Sequence, residues 1–387
     1  MPLASITVGL ISFIIWCYLL LARGAFWLLA PFIDDATTIA DPPSWPRITV
    51  IVPARNEAQT IAEALTSLLQ QNYPGELFIH IVDDHSTDGT AIIAAKAAAE
   101  RPSQSHVKID SAAVLPPGWT GKLWALNQGL TSSAEEAPDF YWFTDADIVH
   151  APRTLTRLVA RAQQENLDLA SLMVLLRAKT PPERVLIPAF LFFFLKLYPP
   201  AWIANPRSRT AGAAGGCLLL RRTALQRAGG LEAIRSEIID DCAIAGIVKN
   251  SGGRIWMGVT QSSLSLRAYE SFAEIRDMIA RTAFTQLHHS ALLLVGTVAA
   301  MFIVYIAPIA ILFSSSPVAR ILGLASWAIM SLTFLPTVHF YKLSPLRAPL
   351  LPLAAAFYSY STILSAIRHW RGCGAQWKGR VQSHPTV

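Results

Sequence analysis

Long runs of apolar residues occupy both ends of the chain, and a region of mixed pattern separates them. The first run carries no charged side chain, and the later runs contain no acidic residue, lysine or arginine. Each run is long enough to cross a bilayer, which takes about 20 helical residues. The pattern therefore predicts membrane segments at residues 1–22, 290–319, 321–341 and 348–367.

The charges beside these runs predict their orientation. No lysine or arginine precedes the first run, and Arg23 follows it. We interpret the run as an anchor rather than a signal peptide, with its carboxyl end in the cytoplasm. Three C-terminal crossings would then place the tail outside, although its basic residues favour the inside. The alternative is a last segment that is re-entrant or interfacial because of Pro345, Pro349 and Pro352. The basic residues are Arg368, Arg371, Lys378 and Arg380.

Between the membrane segments, short apolar runs alternate with helical patterns. Residues 48–53, 77–82 and 140–144 have the β-branched and apolar composition of buried strands. Asn56 is positioned to cap the helix that follows the first strand. The alternation predicts an α/β domain with a doubly wound, mostly parallel sheet and right-handed crossovers.

Composition supports a membrane protein and argues against a nucleic-acid partner. Hydrophobic residues make up 52% of the 387 residues and charged residues only 15%, which is more apolar than an average soluble protein. The net charge is +6, but the basic residues lie beside apolar runs, which suits an anionic membrane surface. The cysteines have no zinc spacing and are expected to be reduced thiols. They are Cys17, Cys217, Cys242 and Cys373.

Candidate chemistry begins at the end of the third predicted strand. The sequence FYWFTDADI at 140–148 places Asp145 and Asp147 where this strand opens into a loop. Ligands bind at that end of the strands in a doubly wound sheet. Two carboxylates one residue apart can hold a hard divalent cation, which can in turn hold a diphosphate. We therefore predict an Mg²⁺ or Mn²⁺ site at Asp145 and Asp147.

Four ordered motifs resemble the signatures of family 2 glycosyltransferases. They are PARNE at 53–57, VDDHSTDGT at 82–90, GKLWALNQG at 121–129 and TDAD at 144–147. The resemblance covers residues 47–281 and implies an inverting enzyme with a GT-A type, nucleotide-sugar-binding fold. The membrane segments and the sequence WKGR at 377–380 most resemble the hopanoid-associated branch of this family.

The resemblance implies a nucleotide-sugar site at the strand ends. Asp83 and Asp84 are expected to contact the nucleotide, one of them by accepting the N3–H of uracil. Lys122 is expected to meet a sugar or phosphate oxygen. The alternative for the loop after Asp84 is an Asx turn in which Asp88 caps the next helix. The other expected donor contacts are Pro53, Arg55, Asn56, Glu57, Asp145 and Arg281.

A second group of residues is expected at the acceptor side. Inversion by direct displacement needs one general base, and the family usually has Glu-Asp where this chain has Asp240-Asp241. Asp241 therefore matches the base, and Asp240 lies beside it. A helix cap is the alternative reading of this pair. Gly215 and Gly216, in GAAGGC at 212–217, are expected near the acceptor, with a plain turn as the alternative.

The apolar segment at 188–202 is bounded by prolines and short for a crossing. It is either interfacial, which would bring the active site to the lipid surface, or a buried core helix. The predicted organisation is an anchor at 1–33, a cytoplasmic catalytic domain at 34–286, a transmembrane region at 287–370 and a basic tail at 371–387. The catalytic domain includes a possible interfacial helix at 185–203.

These inferences predict a multi-pass inner-membrane glycosyltransferase whose catalytic domain faces the cytoplasm. It would move a sugar from a nucleotide donor, with UDP as the first choice, to a hydroxyl of a membrane lipid. A hopanoid-type lipid is the first acceptor, and a sphingolipid-like lipid or a polyprenyl phosphate is the second. A processive polymer synthase is disfavoured because the tryptophan expected after Arg281 is missing. A non-catalytic membrane scaffold is the remaining alternative.

Overall fold

The computed structural model describes residues 2–29, 31–32, 40–100, 105–372, 376–377 and 380–381. Cys373, Lys378 and residues 382–387 of the basic tail lie outside these ranges. The α-helices are α1 (Pro2–Leu21), α2 (Ile61–Leu69), α3 (Thr90–Ala99), α4 (Gly121–Ser132), α5 (Thr154–Gln164), α6 (Pro181–Leu197), α7 (Pro200–Ala204), α8 (Arg222–Arg227), α9 (Asp240–Asn250), α10 (Phe272–Thr282), α11 (Ala291–Met301), α12 (Ala307–Ala310), α13 (Pro317–Phe340) and α14 (Leu351–Trp370). The strands are β1 (Pro31–Phe32), β2 (Ile48–Ala54), β3 (Leu77–Asp83), β4 (His106–Ser111), β5 (Phe140–Phe143), β6 (Ile148–His150), β7 (Leu169–Leu175), β8 (Leu218–Arg221), β9 (Ile255–Ser265), β10 (Gln376–Trp377) and β11 (Arg380–Val381).

The chain forms two compact units. A helical unit comprises Met1–Leu29, Ala178–Ala201 and Ala268–Ala375, and a sheet unit comprises Ala30–Arg177, Trp202–Arg267 and Gln376–Val387. This division differs from the predicted domain boundaries. Residues 178–201 and 268–286 belong with the apolar helices, although they were assigned to the catalytic domain.

The sheet unit contains a nine-stranded mixed sheet. Its strand order is β1-β9-β7-β8-β5-β2-β3-β4, and β6 pairs with β9. Five of the eight pairings between the described strands of this sheet are parallel, and β8 runs antiparallel to both β5 and β7. The predicted α/β class with a mostly parallel sheet is confirmed, and the antiparallel strands curl one half of it away from a pure doubly wound arrangement.

Three central strands bring the predicted motifs to one edge of the sheet. β2 lies between β3 and β5 and runs parallel to both, with Ile48 opposite Leu77 and Phe140. Every residue of β2 is buried, as expected for a strand covered on both faces. Because parallel strands end together, the residues after β2, β3 and β5 meet at their shared carboxyl edge.

Helix α4 packs unusually close to β2, and a glycine makes this possible. A Cβ atom placed on Gly129 would lie 2.4 Å from the Cγ2 of Ile51, which no larger residue could accept without movement. This close packing fixes the helix whose first turn carries Lys122.

The helical unit contains the predicted membrane segments. Among the described residues, five helical stretches are long and apolar enough to cross a bilayer. Four of them correspond to the runs predicted from the sequence, and the fifth contains the proline-bounded segment. They are Leu3–Leu21, Pro181–Ala204, Ala291–Phe313, Pro317–Phe340 and Pro345–Trp370.

Within the helical unit, the aromatic residues of α6 are core residues. Phe192 is 1% exposed and its ring lies 5.2 Å from that of Phe26 and 5.3 Å from that of Phe334. Phe193 packs in the same way against Tyr305 and Tyr358. For these two side chains the structure supports the core alternative over a lipid-facing one.

Candidate active site

The sheet unit has a pocket at the carboxyl edge of β2 and β5. Residues from three of the four signature motifs line it, together with the GAAGGC segment and the Asp240-Asp241 pair, so the fold brings together side chains that lie far apart in the chain. The predicted site residues in its wall are Pro53, Lys122, Asp145, Gly215, Asp240 and Asp241. The other lining residues are Leu126, Phe143, Thr144, Leu218 and Ile244.

Lys122 links two carboxylates across this pocket. Its Nζ lies 2.8 Å from Asp145 Oδ1 and 3.1 Å from Asp240 Oδ2. Burial alone would lower the pKa of Lys122, but the charges of Asp145 and Asp240 outweigh it and hold the pKa above the usual lysine range. The pocket therefore contains a permanently charged ammonium, which suits contact with an anionic ligand.

Asp241 is the pocket carboxylate with the most altered acidity. Burial, followed by repulsion from Asp240, raises the pKa of Asp241 to about 6, while Lys122 opposes the rise. Its Oδ2 accepts a 2.9 Å hydrogen bond from the N–H of Gly215, and its Oδ1 accepts one of 2.7 Å from the N–H of Cys242. A carboxylate with a pKa near 6 is ionised at neutral pH and basic enough to accept a proton.

The first turn of α9 presents both aspartates to the same pocket. Asp240 and Asp241 both line the pocket. They occupy the first two helical positions after the cap residue Ile239, where side chains project from the helix end. Ile239 rather than either aspartate is therefore the N-cap, so the capping alternative does not account for the pair.

The segment GAAGGC at 212–217, called the glycine loop below, closely approaches the side chains of Lys122 and Asp241. A Cβ atom on Gly215 would lie 3.3 Å from Lys122 Nζ and 3.5 Å from Asp241 Oδ2. One on Gly216 would lie 3.1 Å from Val174 Cγ2. Glycine at these positions therefore leaves room for the charged groups and for the loop to pack on β7.

Asp83 and Asp84 lie side by side at the end of β3 with different environments. Arg55 donates to the backbone carbonyl of Asp84, and its Nη1 lies 3.4 Å from Asp84 Oδ2. Asp83 Oδ2 accepts from the N–H of Ser86 at 3.1 Å, whereas Asp83 Oδ1 is buried and has no hydrogen-bond partner among the described residues. A buried acceptor without a donor is costly, so this oxygen is suited to a donor group of a ligand.

The loop residues after β2 and β3 brace one another. Asn56 has a φ of 51°, its N–H donates to Ser86 Oγ, and its Oδ1 accepts from the N–H of Thr87. The prediction that Asn56 caps the following helix is wrong, because α2 begins only at Ile61 with Thr60 as the cap. Asp88 makes the Asx turn given as the alternative, since its Oδ1 accepts from the N–H of Thr90, although Gly89 is the cap residue of α3.

An arginine that the sequence analysis missed lies between two predicted site residues. Arg267 Nε donates to Asp147 Oδ2 at 2.8 Å, and its Nη2 donates to Glu57 Oε1 at 2.9 Å. Each aspartate of the TDAD motif therefore has a basic partner, Lys122 for Asp145 and Arg267 for Asp147. No motif marks Arg267, because its partners are 210 and 120 residues away in the chain.

The two aspartates differ in how they could hold a metal. The described residues contain no group of three or more His, Cys, Asp or Glu side chains arranged to hold an ion. Asp145 is 35% exposed and lines the pocket, whereas Asp147 is 9% exposed and bound to Arg267. Mg²⁺ is commonly held by one or two carboxylates together with substrate phosphates and water. The residues fit that kind of site and not a cage built from protein ligands alone.

Arg281 is placed in the helical unit. It lies in the last turn of α10 and is exposed to solvent. Its predicted contact with the donor diphosphate stays a prediction.

A comparison with known proteins matches the part of the chain that supplies most of the pocket residues, and the match ends before Asp240 and Asp241. Residues 49–229 match the family described as Glycosyl transferase family 2. The matched range includes the strands and loops that supply Lys122, Asp145 and Gly215 to the pocket.

Two curated relatives and one solved structure extend the comparison. The chain is 29% identical over 203 residues, 49% of its length, to an N-acetylglucosaminyltransferase of Mesorhizobium japonicum, and covers 43% of that protein. It is 33% identical over 101 residues, 26% of its length, to the 4,4'-diaponeurosporenoate glycosyltransferase of Staphylococcus aureus, and covers 24% of that protein. The matches thus span less than half the length of these relatives.

The solved structure shows the fold. The mannosyltransferase PcManGT from Pyrobaculum calidifontis, in complex with GDP-Man and Mn²⁺, superposes with a TM-score of 0.56 at 21% identity, over 92% of this chain and 99% of that one. The GT-A type fold implied by the four motifs is confirmed, together with apolar helices at the N- and C-terminal regions.

Proposed function

We propose that the protein is an inverting glycosyltransferase that moves a sugar from a nucleotide donor to a hydroxyl group of a membrane lipid. One observation carries this proposal: the Asp241 carboxylate lies in one pocket with the Lys122 ammonium and with Asp145 of the TDAD motif, which Lys122 contacts at 2.8 Å. The family 2 domain supports the reaction class.

Asp241 would act as the general base. The acceptor oxygen attacks the anomeric carbon while the bond from that carbon to the diphosphate oxygen breaks, and the nucleoside diphosphate leaves with the electron pair. The hydroxyl proton passes to the Asp241 carboxylate. Hydrogen bonds from Gly215 and Cys242 hold this carboxylate in place. The carboxylate is therefore preorganised for the reaction.

Lys122 and Asp83 would bind the two ends of the donor. The ammonium of Lys122 would stabilise the negative charge that develops on the leaving diphosphate. Asp83 Oδ1, which is buried without a partner in the described part of the chain, would accept the N3–H of a uracil ring. A UDP-sugar is therefore the first choice of donor.

A divalent cation, Mg²⁺ or Mn²⁺, would be held by Asp145 and by Asp147 once Arg267 is displaced. When bound, it would neutralise charge on the diphosphate of the leaving group. The binding of Mn²⁺ with GDP-Man in the mannosyltransferase of similar fold supports a metal here.

A membrane-lipid acceptor is supported by the large apolar helical unit. A hopanoid-type lipid remains the first proposal, and a sphingolipid-like lipid or a polyprenyl phosphate the second. The name of the Staphylococcus aureus relative, which specifies 4,4'-diaponeurosporenoate, supports an acceptor other than a soluble sugar.

The sheet unit would face the cytoplasm. The protein would cross the inner membrane three times. Ser5, near the start of α1, shares a 2.9 Å hydrogen bond with Ser314, which follows α12. The start of α1 and the end of the α11–α12 segment would therefore lie on the same side of the membrane. Phe26, after α1, contacts Phe192, which contacts Phe334 near the end of α13. The α13 helix thus returns the chain to the side of Arg23.

The last helix, α14, would not add a fourth crossing. The ring of His369, near its end, stacks at 4.2 Å on that of His289, which precedes α11. The ring of Trp370 lies 5.5 Å from Phe284, which also precedes α11. The chain after α14 would therefore emerge on the side where α11 begins. This re-entrant arrangement places the basic tail inside, as its charge favours.

The apolar α6–α7 segment would not cross either. The strands on its two sides, β7 and β8, pair directly in one sheet. A crossing would require residues 205–217 to return through the bilayer without helical structure, although they contain Arg207 and Arg209. Irregular, charged backbone is not stable in contact with hydrocarbon.

The proposed reaction is tested with the purified full-length protein in detergent, UDP-sugars, Mn²⁺ and total bacterial lipids. Mass spectrometry should show a lipid whose mass increases by one sugar residue. A ladder of longer products would favour a polymer synthase, and donor binding without any transfer or hydrolysis would favour a scaffold. Either result would contradict the proposal.

A further inference from the structure

A buried polar cluster extends from the pocket wall at Thr144 into the interior of the sheet unit. Thr144 Oγ1 lies 2.8 Å from His150 Nε2, and His150 Nδ1 lies 2.9 Å from Ser263 Oγ. Thr144 and His150 are each 2% exposed, and Ser263 is fully buried. The cluster connects the end of β5, which leads into the TDAD motif, with β6 and β9.

The hydrogen bonds of this cluster determine which group donates and which accepts at each contact. Thr144 Oγ1 donates its only proton to the carbonyl oxygen of Gly216 at 2.9 Å. It must therefore accept from His150, which carries its proton on Nε2. Nδ1 then accepts from Ser263. Burial lowers the pKa of His150 to about 3, so the ring stays neutral at physiological pH and keeps this arrangement.

Hydrogen bonds hold the glycine loop on both sides of Gly215, the residue that contacts Asp241. Before it, Ser171 Oγ accepts from the N–H of Ala214 at 2.8 Å and donates to its carbonyl at 3.1 Å. After it, Thr144 holds the carbonyl of Gly216. Between these two points, the N–H of Gly215 donates to Asp241 Oδ2. Both attachments are made by buried hydroxyl groups.

We propose that Thr144, oriented by His150, is a positioning residue that holds the glycine loop so that Gly215 keeps the Asp241 carboxylate in its reactive orientation. The inference rests on the proposed role of Asp241 as the base. Thr144 touches no reacting atom and acts through Gly216 and Gly215. Its effect should therefore be seen in the rate of transfer and not in donor affinity.

The test compares Thr144→Val with Thr144→Ser in the full-length protein. Valine preserves the shape but cannot donate to Gly216, whereas serine keeps the hydroxyl. We expect Thr144→Val to lower kcat by about 10²-fold, the scale of effect for a misplacement of about 1 Å. Thr144→Ser should restore most of kcat. The KM for the donor should stay within about twofold in both, because the Lys122 and Asp83 contacts are intact.

A matched variant separates positioning from general loss of stability. Thr49 is also a fully buried threonine of the sheet, and its Oγ1 donates to Glu136 Oε2 at 2.7 Å. It does not line the pocket. Thr49→Val should lower the thermal unfolding temperature about as much as Thr144→Val without the fall in kcat. Ser263→Ala, which frees the His150 tautomer, should lower kcat in the same direction but less.

The inference is overturned if Thr144→Val keeps normal kcat, or if Thr144→Ser loses as much as Thr144→Val. A loss of kcat in Thr49→Val equal to that in Thr144→Val would also overturn it. If Thr144→Val does not fold, an unchanged kcat in Ser263→Ala decides against the inference. Absence of transfer in the wild-type protein would instead contradict the proposed function.

Discussion

Arg267 holds Asp147 through a 2.8 Å hydrogen bond from its Nε to Oδ2. The guanidinium of Arg267 is thus bound to a carboxylate that the TDAD motif predicts to be a metal ligand. Lys122 does the same for Asp145. The carboxylates are therefore neutralised by the protein itself, and a free cation has to compete with these two partners.

This pairing predicts that a divalent metal binds weakly without the nucleotide. Arg267→Gln should raise the affinity for Mn²⁺ alone by about tenfold or more, because a unit charge a few Å away contributes over 1 kcal/mol in a partly buried site. Electron paramagnetic resonance titration of Mn²⁺ measures this affinity. Arg227→Gln, which removes an arginine that pairs with Asp168 away from the pocket, is the control.

The same site predicts that donor binding depends on the metal. Asp145→Asn combined with Asp147→Asn should abolish the metal-dependent part of donor binding. Donor binding that is unchanged in chelator, or Mn²⁺ affinity that is the same in wild type and Arg267→Gln, would contradict this account of the site.

The pH dependence of transfer should follow Asp241. Because burial and Asp240 raise its pKa to about 6, the carboxylate becomes protonated below that pH and kcat should fall tenfold per pH unit. Asp240→Asn removes the repulsive charge, so the pKa of Asp241 and the acidic limb should move to lower pH. A pH–rate profile of both proteins checks the direction, and an acidic limb that moves upward or stays fixed would oppose it.

Charges placed in the core of the helical unit should unfold it. Phe192 and Phe193 are buried among aromatic rings, so Phe192→Asp and Phe193→Asp should each destabilise the unit by several kcal/mol, through lost packing and an unpaired buried charge. Leu197→Asp, at a 48% exposed position of the same helix, is the control. Thermal unfolding in detergent measures the difference, and equal stability of all three variants would contradict the core assignment.

The proposed topology makes a prediction for cysteine labelling in intact cells. With the other cysteines replaced, a reagent that cannot cross the membrane should label Ser315→Cys and miss the native Cys373. Ser315 lies between α12 and α13, and Cys373 follows α14 in the sequence. Labelling of Cys373 from outside would restore α14 as a fourth crossing.

Part of the pocket could be predicted from the sequence, because the position of each strand in the sheet determines where the motif that follows it lies. Once β2, β3 and β5 are neighbours in parallel, the residues that follow them meet at one edge. Lys122 and Asp241 were predicted from the resemblance to family 2 glycosyltransferases and not from this rule, and the structure brings both into the same pocket. Local patterns and the rule of parallel sheets were sufficient only for the placement of Asp145.

Other features depend on contacts that no local pattern reveals. Arg267 reaches Glu57 across 210 residues, and the cluster of Thr144 with His150 and Ser263 depends on the pairing of β6 with β9. The role of residues 188–202 was also ambiguous, because a buried helix and an interfacial helix can have the same apolar composition. Only the aromatic contacts of Phe192 and Phe193 distinguish the two.

The rate of sugar transfer by Asp241→Asn tests the central claim most directly. The substitution preserves the shape of the side chain and removes its basicity, so donor binding and the unfolding temperature should stay close to wild type. Transfer at neutral pH should fall by about 10²–10⁴-fold, the usual contribution of a general base, and Asp240→Asn should cost less. Near-normal transfer by Asp241→Asn, with a large loss in Asp240→Asn, would contradict the account and assign the base to Asp240.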